Sequence, residues 1–108
     1  MFVRVLDFSA KTGKARELLR TINDQIIPIL RDQPGFVDEV TLQSPDDPSD
    51  LIAISFWKSR GDAENYNEDV FPRVSSLIGV FLDSTPRVRT FDVATSTAHN
   101  ISTVKKAA

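Results

Sequence analysis

The 108-residue chain contains no cysteine, and it has only one histidine, one tryptophan and one tyrosine. Without cysteine there is no disulfide framework, no thiolate metal site and no thiol nucleophile. The formal net charge of -2 provides no positive field that would attract nucleic acid. No apolar run approaches the ~20 residues that span a bilayer, and residues 1–7 carry charge too early for a signal peptide. We therefore expect a cytoplasmic protein with no nucleic-acid or membrane partner.

The length and composition fit one globular domain. Hydrophobic residues make up 41% of the chain and charged residues 26%, which suits a single core but leaves no room for a second. We assign residues 1–95 to this domain. Residues 96–108 form a Ser/Thr-rich C-terminal tail that we expect to extend past the sheet or to reach a partner subunit.

Four segments show the patterns of β-strands. Residues 2–8, 36–43 and 87–95 alternate between two faces, and residues 51–57 are apolar on both faces. The turn formers at 44–50 join the second and third strands as a hairpin-type connection. The chain therefore supplies one strand near each end and a hairpin in the middle.

Apolar residues at spacings of three and four predict the helices. One helix spans residues 14–33, with a kink at Pro28, whose ring removes a backbone donor. A capping box that begins at Ser59 predicts the next helix, to about residue 67, and Pro72 opens a further helix. The helices thus lie between strands one and two and between strands three and four.

This order, βαββαβ, is that of a ferredoxin-like α+β domain: an antiparallel sheet with strand order 4-1-3-2 and helices on one face. Strand three presents Ile52, Ile54 and Phe56 on one side and Leu51, Ala53 and Trp57 on the other. Because the helices cover only one side, the other apolar side needs a partner. We expect a homodimer that forms through the bare sheet face.

Two motifs extend the interpretation to a family. Residues 29–36 (ILRDQPGF) join helix one to strand two, and residues 54–59 (ISFWKS) lead to Tyr66. In both motifs, the chain resembles the antibiotic biosynthesis monooxygenase-like group of dimeric α+β barrel proteins. The resemblance covers nearly the whole chain. Both motifs are architectural, since the first is physically a helix stop, and they speak for fold more than for activity.

The resemblance implies a barrel made of two paired sheets, with a ligand pocket between sheet and helices in each subunit. It also implies several chemistries: cofactor-free oxidation of phenolic polyketides, reactions of quinols, and haem cleavage. Haem-cleaving members use a histidine on the helix after the Tyr66 region and an asparagine in strand one. Here Ser75 stands at the histidine position and strand one contains no asparagine. Haem cleavage is therefore disfavoured, and we expect neither a cofactor nor a metal.

Four residues are candidates for catalysis. In the cofactor-free members an aromatic like Trp57 lies against the substrate ring, although a tryptophan here also suits a core or an interface. Tyr66 would present its hydroxyl to the same cavity as donor or acid, or be half-buried with a wet tip. Arg4 would stabilise a phenolate or enolate, or lie at the sheet margin with its stem buried. His99 has the side chain best suited to deprotonate a phenol, but it lies in the tail, where a solvent or interface role is the alternative.

Two functional hypotheses from different classes follow. The first is a small homodimeric monooxygenase that binds a planar phenol or quinol and assists its reaction with oxygen. The second is a non-catalytic binder of a small apolar or aromatic ligand, or a stress-related sensor, because the sequence offers no convincing acid/base pair. A purely structural role, in which sheet pairing is the whole purpose, is a third. An open cavity between sheet and helices would separate the first two from the third.

Overall fold

The computed structural model describes residues 1–101. Its elements, in chain order, are β1 (Phe2–Ser9), α1 (Ala15–Thr21), a π-helical turn (Ile22–Ile26), α2 (Ile27–Arg31), β2 (Phe36–Gln43), β3 (Asp50–Trp57), α3 (Arg60–Asp69), α4 (Phe71–Gly79) and β4 (Arg87–Asp92). In this part of the chain no helix is both long and apolar enough to cross a membrane. The same residues contain no cluster of three or more potential metal ligands.

The four strands form one antiparallel sheet in the order β2-β3-β1-β4, which confirms the predicted topology. In the register of β1 and β3, Phe2 lies opposite Trp57, Arg4 opposite Ser55, and Phe8 opposite Leu51. Because side chains alternate across a strand, these residues share one face of the sheet. The helices pack on this face and form the hydrophobic core with it.

The first helical segment contains the irregularity that Pro28 predicts. Instead of continuing the regular ladder, the backbone N–H of Ile27 bonds to the carbonyl of Ile22, one residue further back than in an α-helix. Pro28 is the next residue. Its missing N–H and its ring therefore fall at a point where the helical hydrogen-bond pattern is already shifted by one residue. The structure therefore accommodates the proline with a π-helical turn.

The second helical region begins where the capping box predicts. The hydroxyl of Ser59 accepts a hydrogen bond from the backbone N–H of Asp62 at 3.1 Å and so caps α3. The strand predicted over 87–95 stops at Asp92, and one further bond joins Val93 N–H to the Met1 carbonyl. The register of β4 with β1 accordingly ends at the pair of Asp92 and Phe2.

The opposite face of the sheet carries no helix. It exposes Val40, Leu42 and Phe91, whose exposed fractions are 41%, 46% and 48%. The tail reaches one part of this face: the His99 ring lies 5.4 Å from the Phe56 ring, and Ile101 is buried. The tail thus contacts the chain's own sheet through His99, whereas residues 102–108 lie outside the described part.

The turn between α2 and β2 ties the sheet to α3. Gly35 has φ +77°, a left-handed conformation that L side chains rarely adopt. A Cβ atom at this position would overlap the carboxylate of Asp62 at the start of α3. The Gly35 carbonyl also accepts a hydrogen bond from Lys58 N–H at 2.8 Å. The Gln-Pro-Gly-Phe motif therefore needs glycine both for its turn and for close packing.

The change Gly35→Ala tests this double requirement, and Gly13→Ala is its matched control. Gly13 has φ +76°, but no atom lies within 4 Å of its Cβ direction. We expect Gly13→Ala to lower the free energy of unfolding by about 1 kcal/mol through backbone strain alone. Gly35→Ala should cost at least ~1 kcal/mol more, because Asp62 must also move. Urea unfolding measures both, and equal losses would contradict the packing argument.

Candidate functional site

A small cavity lies between the helix layer and the covered face of the sheet. Its volume is about 50 Å³. Apolar walls come from three places: Leu6 and Phe8 on β1, Ile22, Ile26 and Leu30 on the long helical segment, and Val74 and Ile78 on α4. An engineered apolar cavity of ~150 Å³ is known to bind benzene. A ring-sized ligand therefore enters only if wall residues move.

The polar groups of this cavity form one row across the sheet. Arg4 on β1 pairs in register with Ser55 on β3, and Ser55 pairs with Glu39 on β2. All three residues line the cavity, as does Tyr66 from α3. The sheet thus presents a guanidinium, a hydroxyl and a carboxyl group to an otherwise apolar space.

Arg4 is almost fully buried, with 6% of its surface exposed. Its Nη2 donates to Asn67 Oδ1 at 2.9 Å, and its Cζ lies 5.0 Å from the ring centroid of Tyr66 and 4.5 Å from that of Phe71. Burial lowers the pKa of Arg4 and Tyr66 acts against that shift, but an arginine remains charged at neutral pH. The guanidinium is therefore a permanent buried cation that donates a hydrogen bond to Asn67 and lies against two aromatic rings.

Tyr66 is a hydrogen-bond donor at neutral pH. Burial raises its pKa to about 12, although the neighbouring Arg4 guanidinium opposes the rise. Its ring lies 4.9 Å from that of Trp57 and 6.2 Å from that of Phe71. A phenol with such a pKa can hold or give a proton, and it cannot serve as a base at neutral pH.

Trp57 lies behind the wall of the cavity instead of at its mouth. The side chain is fully buried, its Nε1 donates to Ser55 Oγ at 2.9 Å, and its ring packs edge-on against Phe36 at 5.6 Å. It contacts two residues that do line the cavity, Ser55 and Tyr66. Trp57 therefore positions the residues of the wall.

His99 is separated from the other three candidates by the sheet. It packs against Phe56, whose side chain points to the face without helices, and its Nε2 lies 3.9 Å from Asp38 Oδ2. The structure brings Arg4, Trp57 and Tyr66 together on one face and leaves His99 on the other. The tail sequence has no periodicity, so the face of the sheet that His99 contacts could not be predicted from it.

Sequence reasoning does not single out one residue of the cavity, and of the two asparagines that flank Tyr66 it allows at most one to line the cavity from a helix, without deciding which. Glu39 lines the cavity, and burial raises the pKa of its carboxyl group, while a 2.7 Å bond from Thr41 Oγ1 acts in the opposite direction. Strand order and alternation together place Glu39 on the covered face, but polar residues on an edge strand are ordinarily solvated. Of Asn65 and Asn67, the structure selects Asn67 as the partner of Arg4.

The fold and the cavity define a small ferredoxin-like α+β protein with a buried pocket between sheet and helices. The family model described as antibiotic biosynthesis monooxygenase matches residues 1–69. The chain therefore belongs to the antibiotic biosynthesis monooxygenase family. No curated protein sequence matches it.

Solved structures share the fold at low sequence identity. SnoaB, a cofactor-independent oxygenase from Streptomyces nogalater, is 16% identical with a TM-score of 0.76, over 91% of this chain and 97% of its own. A conserved protein from Methanosarcina mazei is 22% identical with a TM-score of 0.69, over 84% and 91%. Rv0793 from Mycobacterium tuberculosis is 18% identical with a TM-score of 0.71, over 89% and 97%. At these identities the likeness shows the fold alone.

The single tyrosine allows its titration to be measured directly. Tyrosinate absorbance should report a midpoint near 12 for the folded chain and near ~10 for the chain unfolded in urea. Phe71→Ala admits water to the site, so we expect its midpoint to fall towards the unfolded value, while Phe91→Ala on the other face leaves it unchanged. Circular dichroism checks that the native chain and both variants remain folded during the titration. A native midpoint close to that of the unfolded chain would contradict the burial argument.

Proposed function

We propose that the chain is a monooxygenase that oxidises a phenolic or quinol-type molecule with molecular oxygen and no cofactor. The observation that carries the proposal is the buried Arg4 cation beside an apolar cavity, with the Tyr66 hydroxyl next to it. A fixed positive charge in a water-poor site stabilises an anion that develops there. Phenolates and enolates are such anions, and they are the electron-rich forms that react with oxygen.

The overall reaction balances without another reductant. A phenol and one O2 give a quinone and one water: the ring carbon opposite the hydroxyl loses hydrogen and gains one oxygen atom, and the second oxygen atom leaves as water. A quinol, whose opposite carbon already carries oxygen, and one O2 give a hydroxyquinone and one water, with the new oxygen on a ring carbon that carried hydrogen. The ring supplies all four electrons that O2 accepts. The protein is asked only to bind the ring, to stabilise its anion and to exclude bulk water.

Membership of the antibiotic biosynthesis monooxygenase family supports this reaction class. SnoaB, with the same fold, is described as a cofactor-independent oxygenase. In this chain the catalytic contacts would come from Arg4 and Tyr66, which line the cavity, and Trp57 would position Tyr66. His99 lies on the far face of the sheet and has no part in this proposal.

The turnover experiment uses metal-free protein and air-saturated buffer. We expect oxygen uptake with at least one member of a panel of hydroquinones and anthrones, faster than in buffer alone. Arg4→Met should lower kcat by about 10²-fold or more, the usual effect of removing one group that stabilises the anion. Arg89→Met, which removes a cation of the opposite face, should leave the rate unchanged.

Thermal stabilisation by these compounds without oxygen uptake would reject the monooxygenase and favour the non-catalytic binder. The apolar walls and small volume of the cavity suit that alternative as well. Loss of activity in Arg89→Met as large as in Arg4→Met would also contradict the assigned site.

A second part of the proposal concerns the assembly. The face without helices exposes Val40 and Leu42 on the edge strand β2 and Phe91 on the opposite edge strand β4. The half-buried Ile52, Ile54 and Val5 of the two central strands lie between them, and exposed apolar surface of this kind usually marks an interface. A two-fold pairing of identical sheets covers both copies at once. We therefore take the chain to act as a homodimer.

Leu42→Lys tests the pairing, because it places a charge in the apolar face that the partner would cover. We expect the native chain to sediment as a dimer and Leu42→Lys as a monomer at the same concentration. Val80→Lys is the control, since Val80 is 64% exposed and follows α4, on the other side of the molecule. A native monomer, or a dimer that both variants retain, would contradict pairing through this face.

A further inference from the structure

The cavity holds one ionisable group that the proposed reaction has not used. Glu39 lies on the edge strand β2, two strands away from Arg4, and its side chain lines the same space. Neighbouring strands are about 4.8 Å apart, so the two backbones are separated by about 10 Å. The intervening residue, Ser55, has a small side chain, which leaves room above it.

We propose that Glu39 accepts the hydroxyl proton of the bound ligand, and that Glu39 and Arg4 together select an aromatic ring with oxygen at two opposite ends. This inference rests on the proposed function and names the substrate class more narrowly as a 1,4-dihydroxyarene. An acceptor at one end of the cavity takes a hydroxyl hydrogen, and donors at the other end hold the second oxygen.

The two polar groups mark opposite ends of the cavity. Glu39 also borders an outer cleft with Ile27 and Arg31 of α2. Arg4 borders a different outer cleft with Asn67 of α3 and Thr90 of β4. Between them the walls are almost wholly apolar. A planar ring between the two groups would meet hydrocarbon on its faces and polar groups only at its two ends.

The surroundings of Glu39 favour its role as a proton acceptor. Burial raises the pKa of its carboxyl group, and the adjacent Asp38 adds to the rise. The Thr41 hydroxyl lowers the pKa by donating a hydrogen bond to the carboxylate. The nearby cations are Arg31, which borders the outer cleft beside Glu39, and Arg4, at the other end of the cavity. The raised pKa makes the carboxylate a stronger base than an ordinary glutamate.

The step itself is a proton transfer. The O–H bond of the ligand breaks, its proton forms an O–H bond with a Glu39 carboxylate oxygen, and the electron pair stays on the ligand. The negative charge then spreads from that oxygen to the ring carbons ortho and para to it, and the para carbon carries the oxygen that faces Arg4 and the Tyr66 hydroxyl. No electron leaves the ligand in this step, so it precedes and does not replace the reaction with oxygen.

The first measurement is binding without turnover. Calorimetric titration under nitrogen compares hydroquinone with 1,4-dimethoxybenzene, which has the same ring but no hydroxyl donor. As pH rises through the pKa of Glu39, the carboxylate forms, and we expect the affinity for hydroquinone to increase roughly fivefold, since a charged acceptor binds a hydroxyl more strongly than a neutral one. The dimethoxy compound should show no such increase.

Two variants assign the effect. Glu39→Gln keeps the size of the side chain and removes its ionisation, so its affinity for hydroquinone should not vary with pH. Asp38→Asn removes the neighbouring carboxylate, whose side chain lies on the other face near His99. It should keep the size of the pH-dependent increase and move its midpoint to lower pH, because Asp38 no longer raises the pKa of Glu39. A pH-independent native affinity, or an identical dependence in Glu39→Gln, overturns the inference.

Oxygen uptake separates this inference from the proposed function. If hydroquinone binds with the expected pH dependence but no oxygen is consumed, the ligand class stands and the monooxygenase falls. If oxygen is consumed but Glu39→Gln keeps the native kcat and pH profile, the monooxygenase stands and the role of Glu39 falls. Absence of hydroquinone binding in the native chain overturns the assigned ligand.

Discussion

The burial of the Arg4 guanidinium in the sheet is the constraint on which the site depends. A buried charge is tolerated only when hydrogen bonds and neighbouring groups compensate for lost water. Here the compensation comes from α3 and the start of α4, through Asn67, Tyr66 and Phe71. These contacts determine which faces of the two helices turn towards β1. The burial of Arg4 therefore accounts both for the position of the helix layer and for the positive charge in the cavity.

Trp57 and Gly35 make this arrangement rigid. The Trp57 ring supports Tyr66 from behind while its N–H is satisfied by Ser55, so neither aromatic leaves a buried polar atom unpaired. Gly35 lets the turn before β2 approach the first turn of α3 through Asp62. The sheet and α3 are thus joined at both ends of the site. The groups that face a ligand are held by neighbours that do not touch it.

The strand order and the cap at Ser59 could be predicted because each rests on local sequence patterns. Alternation and turn residues predict the strands, and the Ser59 hydroxyl, three residues before the Asp62 N–H, predicts the cap. Arg4 could be placed on the correct face by counting along β1. Glu39 could not be singled out, since its burial arises from the neighbouring helix and not from its own strand. His99 lies in a segment without periodicity, so only the structure shows which face of the sheet it contacts.

The two layers around the cavity differ in how they can respond to a ligand. The sheet side is fixed by strand pairing on both sides of β1 and β3, and it carries the polar groups Arg4 and Ser55. The helical side contains the π-helical turn, whose ladder is shifted, followed by Pro28, which cannot donate. Because a cavity of about 50 Å³ is too small for a ring, the room must come from Ile22, Ile26 and their neighbours. Polar recognition then stays with the rigid sheet, and adaptation to ligand size falls to the apolar helix wall.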